Sequence, residues 1–220
     1  SGIKNNSITM SVITKNKILE KIKAGEISFK PEIDKFQLQE HSVDLRLGFT
    51  FMIPKMWHMT PRGRESLDIT HFDKKNNEFF EVIELEQGQY FDLLPNEYIL
   101  VATFESIKLP NDVMAVLYPR SSTNRKGMSL DLTGIIDAGY EGQLILPIRN
   151  NTLSQTVRLY PGERLCQIVF EELSEKISPE RTSKYHSKDI IDGVGLEKKE
   201  EAELILKGQI KELKEKYKAL

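Results

Sequence analysis

The sequence has a single cysteine, Cys166, in 220 residues. One cysteine excludes an intramolecular disulfide and a cysteine-based zinc cluster. Cys166 lies within the apolar segment Leu165–Phe170. A cysteine in such a segment is usually a small buried side chain, so we expect no thiol chemistry there.

Long apolar runs and an excess of positive charge are also missing. No run approaches 18 apolar residues, and no signal-peptide pattern is present. The formal net charge is -2, with 39% hydrophobic and 29% charged residues. We therefore expect a cytoplasmic globular protein with no membrane partner, and no nucleic acid as its main partner. Residues 1–10 are expected to be a leader outside the fold.

The pattern along the chain predicts a mainly β fold. One short helix is predicted over residues 14–24, where Ile18, Leu19 and Ile22 form an apolar stripe and Gly25 ends it. Short alternating segments separated by turn residues then predict a sandwich, barrel or jelly roll. We place this domain at residues 11–196. Residues 197–220 are predicted to form one amphipathic helix with Leu206, Ile210, Leu213, Tyr217 and Leu220 on one face.

The segment Pro119–Gly142 carries most of the residues with functional chemistry. Guanidinium and hydroxyl groups suit phosphate oxygens, and four of them come within six residues: Arg120, Ser121, Ser122 and Arg125. Asp137 lies between apolar residues and a glycine, a position that suits a fixed general base. Tyr140 has a ring that suits stacking on a sugar or a base.

Five motifs occur in order along most of the chain. They are HSVDLRLG (residues 41–48), PRSSTNR (119–125), GIIDAGYEG (134–142), PGERLCQIVF (161–170) and TSKY (182–185). Together they resemble the dUTPase and dCTP deaminase superfamily. The resemblance implies a distorted jelly roll or β-barrel of the dUTPase type with a nucleoside triphosphate as substrate. It also implies a homotrimer whose active sites lie at the subunit interfaces.

The resemblance also implies roles for individual residues. Asp137 is expected to be the catalytic base, and Mg²⁺ the cofactor, with Asp44 holding the ion through water. Asp44 is alternatively an outward polar residue, with Arg46 as a structural ion-pair partner. Arg120, Ser121, Ser122 and Arg125 are expected to bind phosphates, and backbone groups of the next segment to read the base: Leu130, Asp131, Leu132 and Thr133. Gln167 is expected to brace that segment, Lys184 and Tyr185 to close over the phosphates, and Tyr140 and Lys188 to contact the nucleoside.

Position 147 decides between the two branches of the superfamily in this interpretation. Deaminases of this type carry a general-base Glu on the strand after the Asp137 motif, and an ungapped alignment puts Pro147 at that position. Proline has no acid–base function. The sequence therefore predicts a pyrophosphatase that converts dUTP to dUMP and leaves dCTP unchanged. The alternatives are a dCTP deaminase, a bifunctional deaminase and dUTPase, and a non-catalytic nucleotide-binding protein.

Overall fold

The computed structural model describes residues 11–67, 79–131, 134–178 and 199–218. Within these ranges the helices are α1 (Lys15–Lys23), α2 (Ser121–Arg125), α3 (Lys199–Leu206) and α4 (Ile210–Lys216). The strands of the first half are β1 (Ser28–Lys30), β2 (Val43–Pro54), β3 (Trp57–Thr60), β4 (Gly63–Ser66), β5 (Phe80–Glu84), β6 (Phe91–Leu93) and β7 (Tyr98–Lys108). Those of the second half are β8 (Val113–Pro119), β9 (Met128–Leu130), β10 (Ile135–Ile136), β11 (Glu141–Asn150), β12 (Val157–Leu159) and β13 (Arg164–Glu172).

Nine strands in the described part of the chain form one curled antiparallel sheet. Its main path is β10-β8-β13-β2-β7-β11-β9, with β1 added on β7 and β5 added on β2. The register of the long strand β2 against β7 shifts between Leu47 and Phe51. A Cβ on Gly48 would lie 2.8 Å from the Ala102 carbonyl oxygen, so glycine allows β2 to approach β7 closely at this shift. These observations confirm the mainly β fold class.

The curled sheet encloses one hydrophobic core. Alternate residues of the long strands point inward, because successive side chains of a strand face opposite sides. The largest fully buried side chains include Leu45, Leu47, Phe51, Ile99, Ile107, Leu146, Ile148 and Phe170. Cys166 is also fully buried, as its apolar surroundings predicted, and burial raises the pKa of its thiol.

The N-terminal helix matches the prediction from the sequence, whereas the C-terminal helical segment differs from it. Helix α1 follows the prediction within one residue at each end. The predicted single C-terminal helix is instead two helices, because Gly208 adopts a φ of +70° between α3 and α4. No helix within the described ranges is both long and apolar enough to cross a membrane.

The hairpin of β3 and β4 was not predicted from the sequence. Met59 pairs with Arg64 across the hairpin, and the Arg64 guanidinium stacks on the Trp57 ring at 4.4 Å. The exposed, mixed composition of these strands gives no clear alternation to detect.

Candidate functional site

Helix α2 follows β8 directly, and two side-chain hydrogen bonds fix it to β13. The Thr123 hydroxyl is buried and donates to the Leu165 carbonyl at 2.7 Å, and the Arg120 side chain donates to the Arg164 carbonyl at 3.1 Å. Ser121, Ser122 and Arg125 lie on the exposed side of this turn. The turn is therefore a rigid support that presents two hydroxyls and one guanidinium to solvent.

Asp44 is a buried carboxylate that pairs with Arg120, the residue just before α2. Its Oδ2 atom is 3.1 Å from Arg120 Nε and 3.1 Å from Arg164 Nη1, and its side chain is 3% exposed. Burial raises the pKa of the carboxyl group, and the two arginines oppose this shift. Two guanidinium groups already compensate its charge, so Asp44 does not fit the predicted role of holding Mg²⁺. No group of three or more metal-ligating side chains occurs among the residues that the structure describes.

The alternative partner predicted for Asp44 is also corrected. Arg46 pairs with Asp34, with its Nη2 atom 2.7 Å from Asp34 Oδ2, and its Nη1 atom donates to the Gly162 carbonyl at 2.6 Å. Asp44 and Arg46 share a face of β2, but Asp34 and the Gly162 carbonyl already engage the Arg46 guanidinium.

A second buried carboxylate, Glu105, was missed by the sequence analysis. It is 1% exposed, and it accepts hydrogen bonds from Gln37 Nε2 at 2.7 Å and from the Arg46 backbone N–H at 3.0 Å. Burial raises the pKa of Glu105, and these hydrogen bonds oppose the shift. Gln37 also donates to the Asp44 carbonyl. A buried polar network therefore joins β7, β2 and α2.

Asp137 and Tyr140 follow β10 but have different environments. The Asp137 side chain is exposed. Tyr140 is 7% exposed, and its hydroxyl donates to the Gln143 carbonyl at 2.7 Å. Desolvation raises the pKa of Tyr140 to about 12. Little of the ring remains accessible, so its burial does not support the predicted stacking on a nucleotide.

The turn predicted to bind phosphates, at α2, and Asp137 lie at opposite ends of β8. Ile136 pairs with Ala115, so Asp137 lies near Met114, whereas α2 begins beyond Pro119. Five strand residues separate these points, a distance of about 17 Å. One chain therefore does not bring its Asp137 to phosphates bound on its own α2.

The predicted base-reading segment begins at Leu130, the end of β9, which is the last strand of the main sheet path. Leu130 pairs with Ile148 of β11, and the Asp131 N–H donates to the Pro147 carbonyl at 3.0 Å. Backbone groups of an antiparallel strand alternate in direction, so those of Leu130 face away from β11. The Leu130 backbone groups thus point away from β11, whereas the Asp131 N–H is already used.

Within the described residues, no hydrogen bond joins the Gln167 side chain to the segment that begins at Leu130. Its Oε1 atom accepts from the Ser42 hydroxyl at 3.4 Å. Four other predicted site residues lie outside the described residues, and their roles stay predictions: Leu132, Thr133, Lys184 and Tyr185. The same holds for Lys188.

Comparison with known proteins identifies relatives over most of the chain. The family model for dCTP deaminase-like proteins matches residues 12–173. A protein of Methanobrevibacter smithii named "dCTP deaminase, dUMP-forming" is 34% identical over 185 residues, covering 80% of this chain and 90% of its own length. The protein of the same name from Dictyoglomus thermophilum is 37% identical with the same coverage.

A solved structure supports the same assignment of the fold. The 2'-deoxycytidine 5'-triphosphate deaminase of Agrobacterium tumefaciens matches with a TM-score of 0.58 and 27% identity. The match covers 74% of this chain and 49% of that one. The chain is thus similar to enzymes of nucleotide metabolism.

These relatives correct the activity predicted from the sequence. The prediction of a dUTP pyrophosphatase that leaves dCTP unchanged is contradicted, because the curated relatives are named as dUMP-forming dCTP deaminases. The error came from giving the absence of a carboxylate at one position, Pro147, more weight than the pattern of the whole chain.

Proposed function

Because the chain belongs to the dCTP deaminase-like family, we propose that it converts dCTP to dUMP. The observation that carries this proposal is the similarity to dUMP-forming dCTP deaminases over 80% of the chain. The overall reaction consumes two water molecules and releases one ammonia and one pyrophosphate. One water attacks C4 of cytosine, and the other attacks the α-phosphorus.

The exposed side of α2 supports triphosphate binding. Ser121, Ser122 and Arg125 face solvent there, and hydroxyl and guanidinium groups are suited to phosphate oxygens. Arg120 would mainly support α2 and not bind phosphate directly, because its guanidinium is held by Asp44 and by the Arg164 carbonyl. The outward backbone groups of Leu130 follow directly along the chain and would read the edge of the cytosine.

Asp137 would act on the water that attacks the α-phosphorus. A carboxylate in that role orients the water and accepts its proton. The distance of about 17 Å along β8 separates Asp137 from α2 of the same chain. A complete site would therefore combine α2 of one subunit with Asp137 of another, which suits the homotrimer implied by the resemblance. Mg²⁺ would come with the triphosphate, since Asp44 does not fit as its ligand.

The test is an assay of the purified full chain with dCTP and Mg²⁺ in which ammonia and pyrophosphate are measured separately. We expect one equivalent of each per dCTP consumed, with dUMP as the nucleotide product. Binding of dCTP without any release of ammonia would overturn the proposal. That result would leave the chain as a nucleotide-binding protein of this fold.

Removing the two hydroxyls of α2 tests where the triphosphate binds. Each hydrogen bond to a charged phosphate contributes about 1.5–3 kcal/mol, so Ser121→Ala with Ser122→Ala should raise the KM for dCTP at least tenfold. The melting temperature should change little, because both side chains are exposed. Ser154→Ala, at another exposed serine, is the matched control and should leave KM unchanged. An unaltered KM in the double variant would place the phosphates elsewhere.

A further inference from the structure

Deamination needs a proton acceptor near C4 of cytosine, and Pro147 supplies none. Building on the proposed function, we propose that Asp131 supplies this carboxylate from the neighbouring strand. The side chain of Asp131 then takes the catalytic role that related deaminases give to a Glu at the position of Pro147.

The register of β9 and β11 places the two residues opposite each other. Ile148 pairs with Leu130 and Arg149 with Ser129, so the next pair along the ladder is Pro147 with Asp131. The hydrogen bond of 3.0 Å from the Asp131 N–H to the Pro147 carbonyl confirms this register. Side chains of directly opposed residues lie on the same face, with Cβ atoms about 4.5–5.5 Å apart.

This separation is comparable to the span of an extended Glu side chain. A carboxylate on the Asp131 Cβ therefore lies in the region that a Glu side chain at position 147 would reach. Glu141, at the far end of β11, does not reach the same region. Six strand residues separate it from Pro147, or about 20 Å, and it pairs with Lys108 at 3.0 Å.

Proline at position 147 also frees the end of β9. It has no N–H to donate, so the pair is joined by one backbone hydrogen bond instead of two. Strand β9 ends at Leu130, immediately before this pair. Asp131 thus begins the segment beyond the strand while its own N–H keeps it fixed to β11.

The Asp131 carboxylate is oriented but accessible. The Ser129 hydroxyl donates to its Oδ1 atom at 2.9 Å, and the Arg149 Nε atom lies 3.8 Å from its Oδ2 atom. Arg149 in turn lies over the Tyr98 ring, with 5.4 Å between the guanidinium carbon and the ring centre. The Asp131 side chain remains 49% exposed, so a water molecule and a pyrimidine ring can approach it.

The reaction balances with water as the only co-substrate. Asp131 takes a proton from water while the water oxygen bonds to C4, and the electrons of the C4–N3 double bond move to N3, which receives that proton. Asp131 then takes the proton of the new hydroxyl group and passes it to the amino nitrogen. The C4–N bond breaks, ammonia leaves with the electron pair, and a C4 carbonyl forms. The carboxylate is restored at the end.

The test compares the full chain with Asp131→Asn and Asp131→Ala, scoring each variant that melts within a few degrees of the parent. Loss of a general base lowers the rate about 10²–10⁴-fold, so ammonia release from dCTP should fall by that factor. The affinity for dCTP should stay within about threefold of the parent value, because a general base acts on the attacking water and does not hold the nucleotide. Asp92→Asn is the matched control, since Asp92 is also an exposed aspartate paired across strands with an arginine, Arg158. Its ammonia release should equal that of the parent.

The results separate the assignment of Asp131 from the proposed function. Ammonia release by the parent that persists in an Asp131 variant overturns the role of Asp131 and leaves the proposed function intact. A variant that loses dCTP binding together with turnover gives Asp131 a binding role, which also overturns the assignment. Absence of ammonia release from the parent itself overturns the proposed function, and the role of Asp131 with it.

Discussion

The carboxylates of this protein fall into two groups with contrasting environments. Asp44 and Glu105 are 2% and 1% exposed, and both accept hydrogen bonds from fixed donors. Asp131 and Asp137 are exposed at the ends of short strands. Buried carboxylates with fixed hydrogen-bond partners hold strands and α2 in place, whereas exposed ones remain accessible to a substrate. We therefore expect exposure to distinguish structural from catalytic carboxylates in this protein better than the sequence motifs do.

The largest effect on rate is expected at an exposed carboxylate. Asp137→Asn should lower pyrophosphate release from dCTP by about 10²–10⁴-fold, because a general base contributes a factor of that size. The variant should still bind dCTP and should melt near the temperature of the parent. Pyrophosphate assays, dCTP titration and thermal melting together check this expectation.

Ammonia release makes the comparison of the two exposed aspartates sharper. If the aspartates serve separate waters, Asp137→Asn should still release ammonia from dCTP, unlike the variants of Asp131. Undiminished pyrophosphate release from a folded Asp137→Asn variant would remove Asp137 from the mechanism.

The sequence predicted the two groups of carboxylates less well than it predicted the fold. Short alternating segments between turn residues predicted the mainly β fold, because one face of a strand such as β2 or β13 packs in the core. Three-residue and two-residue strands such as β9 and β10 are too short for a period of two to be detected. Motif order correctly gave the superfamily, since it depends on the sequence itself and requires no contacts.

Roles that depend on contacts across strands were not visible in the sequence. Asp44 was assigned to a metal because its two arginine partners come from distant segments, β13 and the end of β8. Asp131 was assigned a role only through its backbone. Its position opposite Pro147 depends on strand register, which the sequence alone does not give.

The largest effect on stability is expected at a buried carboxylate. Asp44→Asn leaves the two guanidinium groups of Arg120 and Arg164 without a charged partner. The free energy of unfolding should fall by only about 1–2 kcal/mol, because both arginines stay partly exposed and burial already disfavours the charged carboxylate. Thermal and urea melts measure this loss.

A matched control tests whether burial is the cause of that loss. Asp92→Asn removes an exposed aspartate paired with Arg158, with 2.8 Å between Asp92 Oδ1 and Arg158 Nε, and should melt near the parent temperature. Equal losses in the two variants would mean that burial does not distinguish these carboxylates.

The smallest expected effect is a change in how stability depends on pH, and it tests Glu105. Burial raises the pKa of Glu105 above its ordinary value of 4.5, so folding favours the protonated form of this group. The stability from Glu105 is therefore fully present below pH 4.5 and is lost as the pH rises through the pKa of the folded state.

Glu105→Gln removes this dependence but keeps a side chain that accepts from Gln37 or from the Arg46 N–H. The melting temperature of the variant relative to the parent should accordingly increase as the pH rises from about 4.5 toward neutrality. Asp44, whose pKa is also raised, is present in both proteins and cancels in the difference. If the melting temperatures of variant and parent instead change in parallel with pH, then folding does not raise the pKa of Glu105. Glu105 would then not belong with the buried carboxylates.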